Sequence, residues 1–287
     1  MSADELFPRA AAALAASDPD DKCRLTAAAV ADLAAGRLAV HPERAGGALD
    51  RPGRPPRPQL VPPKRVPRRR LGSVQGRAAL LHAIAHIEFN AINLAWDAVC
   101  RFPGLPEAYY RDWARVAGEE AEHFGLLRAR LRALRFDYGD FPAHDGLWQM
   151  ALDTRDDPLI RMALVPRVLE ARGLDVTPGM MARLAEAGDR ESVAALEIIL
   201  RDEVGHVEIG TRWFRHLCAE RGLEPEATFE GLLNEHLAGR VKGPFHVEAR
   251  LRAGFTESEM ARLEALAERS ADTQTAREPA DVSGELS

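Results

Sequence analysis

Apolar residues recur along this chain at intervals of three and four, the spacing of a helix face that packs into a bundle. The stripe is clearest at Leu196, Ile199, Glu203, His206, Gly210, Trp213 and Leu217. It returns at Trp113, Val116, Glu120, His123, Leu127, Leu131 and Leu134, with Arg111, Arg115, Glu119 and Arg128 to the side or behind. A third stripe runs through Leu81, Ile84, Glu88, Ile92, Ala95 and Val99. A fourth segment, 160–173, holds Glu170 beside Leu159, Met162, Ala163 and Leu169, with the weakest period of the four. The pattern predicts an all-α chain built on a four-helix bundle over about 72–221, with further helices before and after it.

Each stripe carries an acid where leucine is expected. An ionised carboxylate on a core face costs several kcal/mol unless a counter-charge or hydrogen bonds compensate it. Two stripes also carry histidine at the same offset, Glu120-Ala-Glu-His123 and Glu203-Val-Gly-His206. Glu88 precedes Glu120 by 32 residues and Glu170 precedes Glu203 by 33, the pattern of two related helix hairpins. One Glu from each of two helices and Glu-x-x-His from each of two others is the ligand plan of di-iron and di-manganese carboxylate bundles. Four Glu charges balance two divalent ions, and oxygen with imidazole suits iron or manganese better than a closed structural zinc site. Asp202, Glu119 and His86 are candidates to orient the ligands from outside. His82 and His86 read as hydrogen-bonded structural groups; Asp202 and Glu208 flank the second pair and could both orient ligands, with a solvated surface charge as the default for each. Phe89, Phe124, Leu127, Val207 and Trp213 are candidate pocket walls that ordinary core packing explains equally well.

The stretches His82-Ala-Ile-Ala-His-Ile-Glu-Phe89, Glu119-Glu-Ala-Glu-His-Phe124, Val165-Pro-Arg-Val-Leu-Glu-Ala-Arg-Gly-Leu-Asp175 and Arg201-Asp-Glu-Val-Gly-His-Val207 carry a resemblance to a known family. So do Tyr138-Gly-Asp140, Pro142-Ala-His-Asp-Gly-Leu-Trp148 and Gly243-Pro-Phe245. From about Arg51 to Phe255 the chain resembles domain-of-unknown-function family 455, a bacterial ferritin-like family. The resemblance implies a ferritin-like bundle with Glu88, Glu120, His123, Glu170, Glu203 and His206 as metal ligands. More distantly the bundle and ligand pattern are similar to the di-iron tRNA 2-methylthio-N6-isopentenyladenosine hydroxylases, which implies a reaction type rather than a substrate. The expected function is an O2-activating oxidoreductase of the hydroxylase or monooxygenase kind, with two iron ions or a manganese/iron pair. The alternative is a ferritin-like protein that binds or oxidises iron without an organic substrate, for which the proline strap described below has no evident use. A metal-free interaction module would have to bury four Glu against two His, which is electrostatically poor.

Composition narrows the setting. The chain has 287 residues, 46% of them hydrophobic, enough for one large domain with extensions. No apolar run approaches the roughly 20 residues that span a bilayer, and acids stand near the start where a secretory signal carries bases, so the expected location is cytoplasmic. Cys23, Cys100 and Cys218 are far apart, which fits reduced thiols and provides no Cys-x-x-Cys electron carrier; a monooxygenase would need an external donor. Tyr109, Tyr110 and Tyr138 all lie more than two helical turns in sequence from any proposed ligand. A homodimer is the default assembly.

Five parts are expected: a helical arm over 1–50, a basic proline-rich strap over 51–71, the bundle over 72–221, a helical extension over 222–269 and a disordered tail over 270–287. In the arm, Ser2 with Glu5 reads as a capping box, Asp18-Pro19 opens a second helix and Gly36 closes it. Thr256 with Glu259 is a second capping box, following a turn from Gly239 to Phe245. The segment 137–156 reads as a long loop at the mouth of the site. Between Arg51 and Arg70 stand seven prolines, eight Lys or Arg and no acid. That density favours an extended course. In a chain of net charge −6 such a local positive field suits RNA or another polyanion. The competing expectation is that Arg51, Arg54, Arg57 and 68–70 clamp the strap to acidic helices such as the one bearing Glu119 and Glu122.

Overall fold

A computed structural model of the chain describes residues 5–66, 70–237 and 241–275. Among the described residues there are eleven α-helices and no strand beyond two isolated bridges. Helices α3 (Val74–Arg101) and α4 (Glu107–Ala133) form one long hairpin. The second consists of α6 (Pro158–Leu164), a π-helical turn (Val165–Glu170) and α7 (Ala171–Glu186), returning through α8 (Arg190–Glu220). α8 packs on α4 and on the α6–α7 rod, which completes the expected four-helix core. Every residue of the α3 and α8 stripes is buried, and so is the α4 stripe as far as Leu131.

Polar ties fix the four helices in register. The buried Asp97 of α3 accepts from Arg161 of α6 at 2.7 Å. Asp189, the N-cap of α8, accepts from Ser192 N–H and pairs with Arg130 of α4 and Arg77 of α3. Replacing one partner of such buried pairs strands the other charge, so they specify the arrangement as much as they stabilise it.

The arm consists of α1 (Leu6–Ala15) and α2 (Pro19–Ala34), which lie against α3 and α4 respectively. Asp18 caps α2 as expected, accepting from the Asp20 and Asp21 N–H groups, and Gly36 follows at φ +70, a conformation that suits glycine. Ser2 lies outside the described residues; Glu5 accepts from Arg44 instead of capping α1. The segment expected to be a loop contains a short helix, α5 (Gly146–Asp153), which buries Trp148 and Ala151. Beyond the bundle come α9 (Pro225–Leu237), α10 (Val247–Arg252) and α11 (Glu257–Thr275). The Thr256–Glu259 box is reciprocal, with backbone-to-side-chain bonds of 3.0 and 2.9 Å. α11 continues past Ser270, where the tail was expected to begin; Gly239 and residues 276–287 lie outside the described residues. Only α3 is long and apolar enough to cross a membrane among the described residues, and 78% of its apolar window is buried within the protein, as in a bundle core.

Candidate metal centre

α3, α4 and α8 bring Glu88, Glu120, His123 and Glu203 to one point in the core. One ligand atom from each lies within 4.8 Å of the other three, a group that could hold a metal ion. His123 Nδ1 is 3.4 Å from Glu88, 3.5 Å from Glu120 and 4.0 Å from Glu203. His206 Nδ1 stands across the group, 3.0 Å from Glu120 and 3.5 Å from Glu203, with the two imidazole centroids 5.7 Å apart. Glu120 and Glu203 thus lie between the two imidazoles, and Glu88 is on the His123 side.

Glu170 comes from the π-helical turn, where Pro166 has no N–H to continue an ordinary α-helical ladder. Its Oε2 is buried without a hydrogen-bond partner. The arginines that might have neutralised it are engaged elsewhere: Arg167 pairs with Glu259, and Arg172 with Asp175 and the carbonyls of Lys242 and Pro244.

The outward nitrogens of the two histidines are held in a crossed fashion. His123 of α4 meets Asp202 of α8 through Nε2 at 3.2 Å, and His206 of α8 meets Glu119 of α4 through Nε2 at 2.7 Å. A carboxylate accepts here, so each Nε2 carries a proton, and each Nδ1 faces the cluster as the atom that would offer its lone pair to a metal once any proton on it is displaced. His86 faces the other way, bonding Tyr138 Oη and the His144 carbonyl, while His82 Nε2 accepts from Gly139 N–H. Glu208 is beside Arg212 at the surface.

The inward atoms are the test of fit. Glu88 Oε2, both Glu120 oxygens, Glu170 Oε2, His123 Nδ1 and His206 Nδ1 are all buried with no hydrogen-bond partner. Burial, and next the nearby Glu120, push Glu88 well above the usual carboxylate range. Burial followed by Glu203 and Glu120 does the same to Glu170, and burial with Glu120 raises Glu203. Burial would lower both imidazoles, but the surrounding carboxylates outweigh it, lifting His123 to about 11 and His206 well above its ordinary value. Glu120 is the exception: burial pushes it up, and the charges of His206 and His123 hold it low. A site that draws protons onto its acids and imidazoles at once is short of positive charge, which bound cations supply.

A model of the family described as "Protein of unknown function (DUF455)" matches residues 15–261. The chain belongs to this family. The match reaches beyond the 51–255 span of the motifs, taking in α2 and the start of α11. A Haemophilus influenzae protein described as an uncharacterized protein is 50% identical over 213 residues, covering 72% of this chain and 74% of that one. No solved structure matches the chain.

Apolar and aromatic residues stand around the cluster. Phe89, Phe124 and Val207, each next in sequence to a ligand, are buried, while Trp213 packs two turns further along α8 against Tyr109 and donates to Asp112. Tyr138, distant in sequence, has its ring centroid 5.3 Å from that of Phe89 and 5.1 Å from that of Phe124, the residues that follow Glu88 and His123. Its place could not be read from helical spacing, because it enters on the loop after α4.

Proposed function

We propose that this DUF455 protein is a ferritin-like dinuclear carboxylate oxidoreductase that activates O2, of the hydroxylase or monooxygenase kind. The observation that carries the reading is the pair of inward, unpartnered imidazole Nδ1 atoms, each with its Nε2 held by a carboxylate from the opposite helix. Glu88, Glu120, His123, Glu170, Glu203 and His206 would hold two iron ions or a manganese/iron pair. Bound there, the metals would supply redox chemistry toward dioxygen.

The chain's own part is positional. Asp202 and Glu119 fix the tautomer and orientation of the two imidazoles. Glu120 and Glu203, each near both imidazoles, would hold metal at the centre of the group. Phe89, Phe124 and Val207 keep water from the cluster. Four carboxylates against two divalent ions bring the buried charge to balance, which removes the reason for Glu88 and Glu170 to hold protons. With no Cys-x-x-Cys in this chain, reducing equivalents would come from a separate donor.

Elemental analysis with an anaerobic iron titration tests the reading, comparing the native chain with Glu120→Ala/Glu203→Ala. About two metal ions per chain, lost in the variant, are expected, followed by oxygen uptake. Protein that stays metal-free under iron-replete conditions sinks the proposal. Iron oxidation within a large hollow assembly replaces it with the storage alternative.

A further inference from the structure

The strap turns its cations outward and seats two of its prolines, while Pro56, Pro62 and Pro63 are exposed. Pro52 and Pro58 are buried, whereas Arg51, Arg57, Lys64, Arg65 and Arg70 are exposed and make no side-chain hydrogen bond or ion pair among the described residues. Arg54 alone among the strap's described cations has an acid, Asp145 at 3.1 Å. Of the arginines expected to clamp the strap to acidic helices, Arg54 meets Asp145, Arg51, Arg57 and Arg70 meet no acid among the described residues, and Arg68 and Arg69 lie outside those residues; Glu119 is bonded to His206, and backbone groups hold the described part of the strap. Gly53 N–H donates to Leu14 O at 2.8 Å, Val61 N–H to Ala143 O at 2.8 Å, and Ala143 N–H to Gln59 O at 3.0 Å. A side chain at Gly53 would overlap the Ala15 carbonyl, so the ribbon is seated against α1.

Exposed arginines such as Arg24, Arg37, Arg111 and Arg262 find acidic partners. Others, Arg115, Arg135, Arg183, Arg190 and Arg252, have no such partner among the described residues but stand far apart in the chain, whereas the strap gathers its unpaired cations in one short segment. Apart from Asp50, which precedes Arg51, no acid adjoins the strap in sequence before Glu88, so neighbours in sequence leave most of the strap's charge unneutralised. Seven of its eight cations are arginine, whose planar fork matches phosphate oxygens in pairs. The ribbon is already ordered by its backbone bonds, so docking a ligand on it loses little conformational freedom. It contains no aromatic residue to stack on bases, and Leu60 and Val61 are half-buried, leaving little apolar anchor for a lipid surface.

We propose that residues 51–66 form a sequence-independent docking ribbon for the phosphodiester backbone of a nucleic acid. The strap is bridged at Leu60 and Ala143 to the 137–145 loop. That loop also carries Tyr138 onto Phe89 and Phe124, so the ribbon is one layer out from the aromatic side of the cluster. The inference does not depend on the metal reading, since binding requires no metal.

The test is fluorescence anisotropy of the full chain with a labelled single-stranded RNA and the matching DNA, across a salt series. The variants are Arg51→Glu/Arg57→Glu/Lys64→Glu/Arg65→Glu, its all-Gln counterpart, and a charge-matched control, Arg24→Glu/Arg37→Glu/Arg111→Glu/Arg262→Glu. The native chain and the control should bind alike. Both strap variants should bind about tenfold or more weakly, with the slope of log K against log salt shallower by about 0.7 for each phosphate of a single strand that is no longer neutralised. Tighter binding of RNA than DNA assigns the recognition to RNA through its 2′-hydroxyls; equal binding assigns it to phosphates alone. The proposal is overturned by no binding at low salt, by equal weakening in the control, or by phosphatidylglycerol vesicles displacing the strand from the strap.

Discussion

The two helix hairpins deliver matching ligands by different means. In α3 the residues four and three positions before Glu88 are Ile84 and Ala85, both buried in a regular helix. The same positions before Glu170 are Pro166 and Arg167, in a π-helical turn. Four residues after each ligand histidine, α4 has Leu127 and α8 has Gly210. A β-carbon at Gly210 would overlap the Pro166 ring, so the glycine makes room for the proline. The first half is held by continuous apolar packing. The second is a widened turn that needs support from outside the bundle, and it receives it from the C-terminal extension. There Arg167 stacks on Phe229 and Phe255 at 4.0 and 4.5 Å and pairs with Glu259, with Phe214 of α8 closing the cage at 4.7 Å. One half of the centre is intrinsic to its helices, and the other depends on residues more than forty positions away in the chain.

The sharpest way to break this asymmetry is Arg167→Met. It leaves the buried Glu259 with only the more distant Arg215, at 3.8 Å, a loss expected at about 3 kcal/mol in denaturant unfolding. Arg167→Met/Glu259→Gln should recover most of that, because glutamine is neutral and can still cap the Thr256 amide. If the double variant is as unstable as the single one, packing of the aromatic cage outweighs the ion pair. The Ala85 side has no comparable dependence on the extension.

The crossed carboxylates offer a second test, this time of what the halves share. Asp202→Asn and Glu119→Gln should each weaken metal binding by about 10–100-fold in a chelator competition. Because Asp202 acts on the histidine of the other helix, its loss should add nothing to His123→Ala but should add in full to His206→Ala. Additivity with both would show that neither imidazole is held across the helix pair.

The sequence made one half of this centre easier to read than the other, for a physical reason. Stripes on α3, α4 and α8 are legible because those helices keep a period of 3.6 residues past the ligand. The fourth stripe looks weak because the π-helical turn changes the period just where Glu170 stands. Capping residues such as Asp18, Thr256 and Glu259 are legible because they act within four positions. Interactions between distant segments are not: the pairing of Asp202 with His123, the aromatic cage on Arg167, and the loop that carries Tyr138 to Phe89. Helix α5 is hidden by its eight-residue length and by the Gly, Pro and Asp around it.

The smallest effects come from two glycines that sit on opposite hairpins. Gly125 of α4 has no atom within 4 Å of an added β-carbon, and Gly210 of α8 has the Pro166 ring there. Gly125→Ala should stabilise the fold by up to about 1 kcal/mol, through reduced freedom of the unfolded chain. Gly210→Ala gains the same propensity but forces Pro166 away, and should be destabilising by about 1–3 kcal/mol. Because Pro166 is in the turn that carries Glu170, this variant should also weaken metal retention, whereas Gly125→Ala should leave it unchanged. Equal, mildly stabilising shifts in thermal unfolding would mean that the π-helical turn yields freely, and that the second half of the centre is no more constrained than the first.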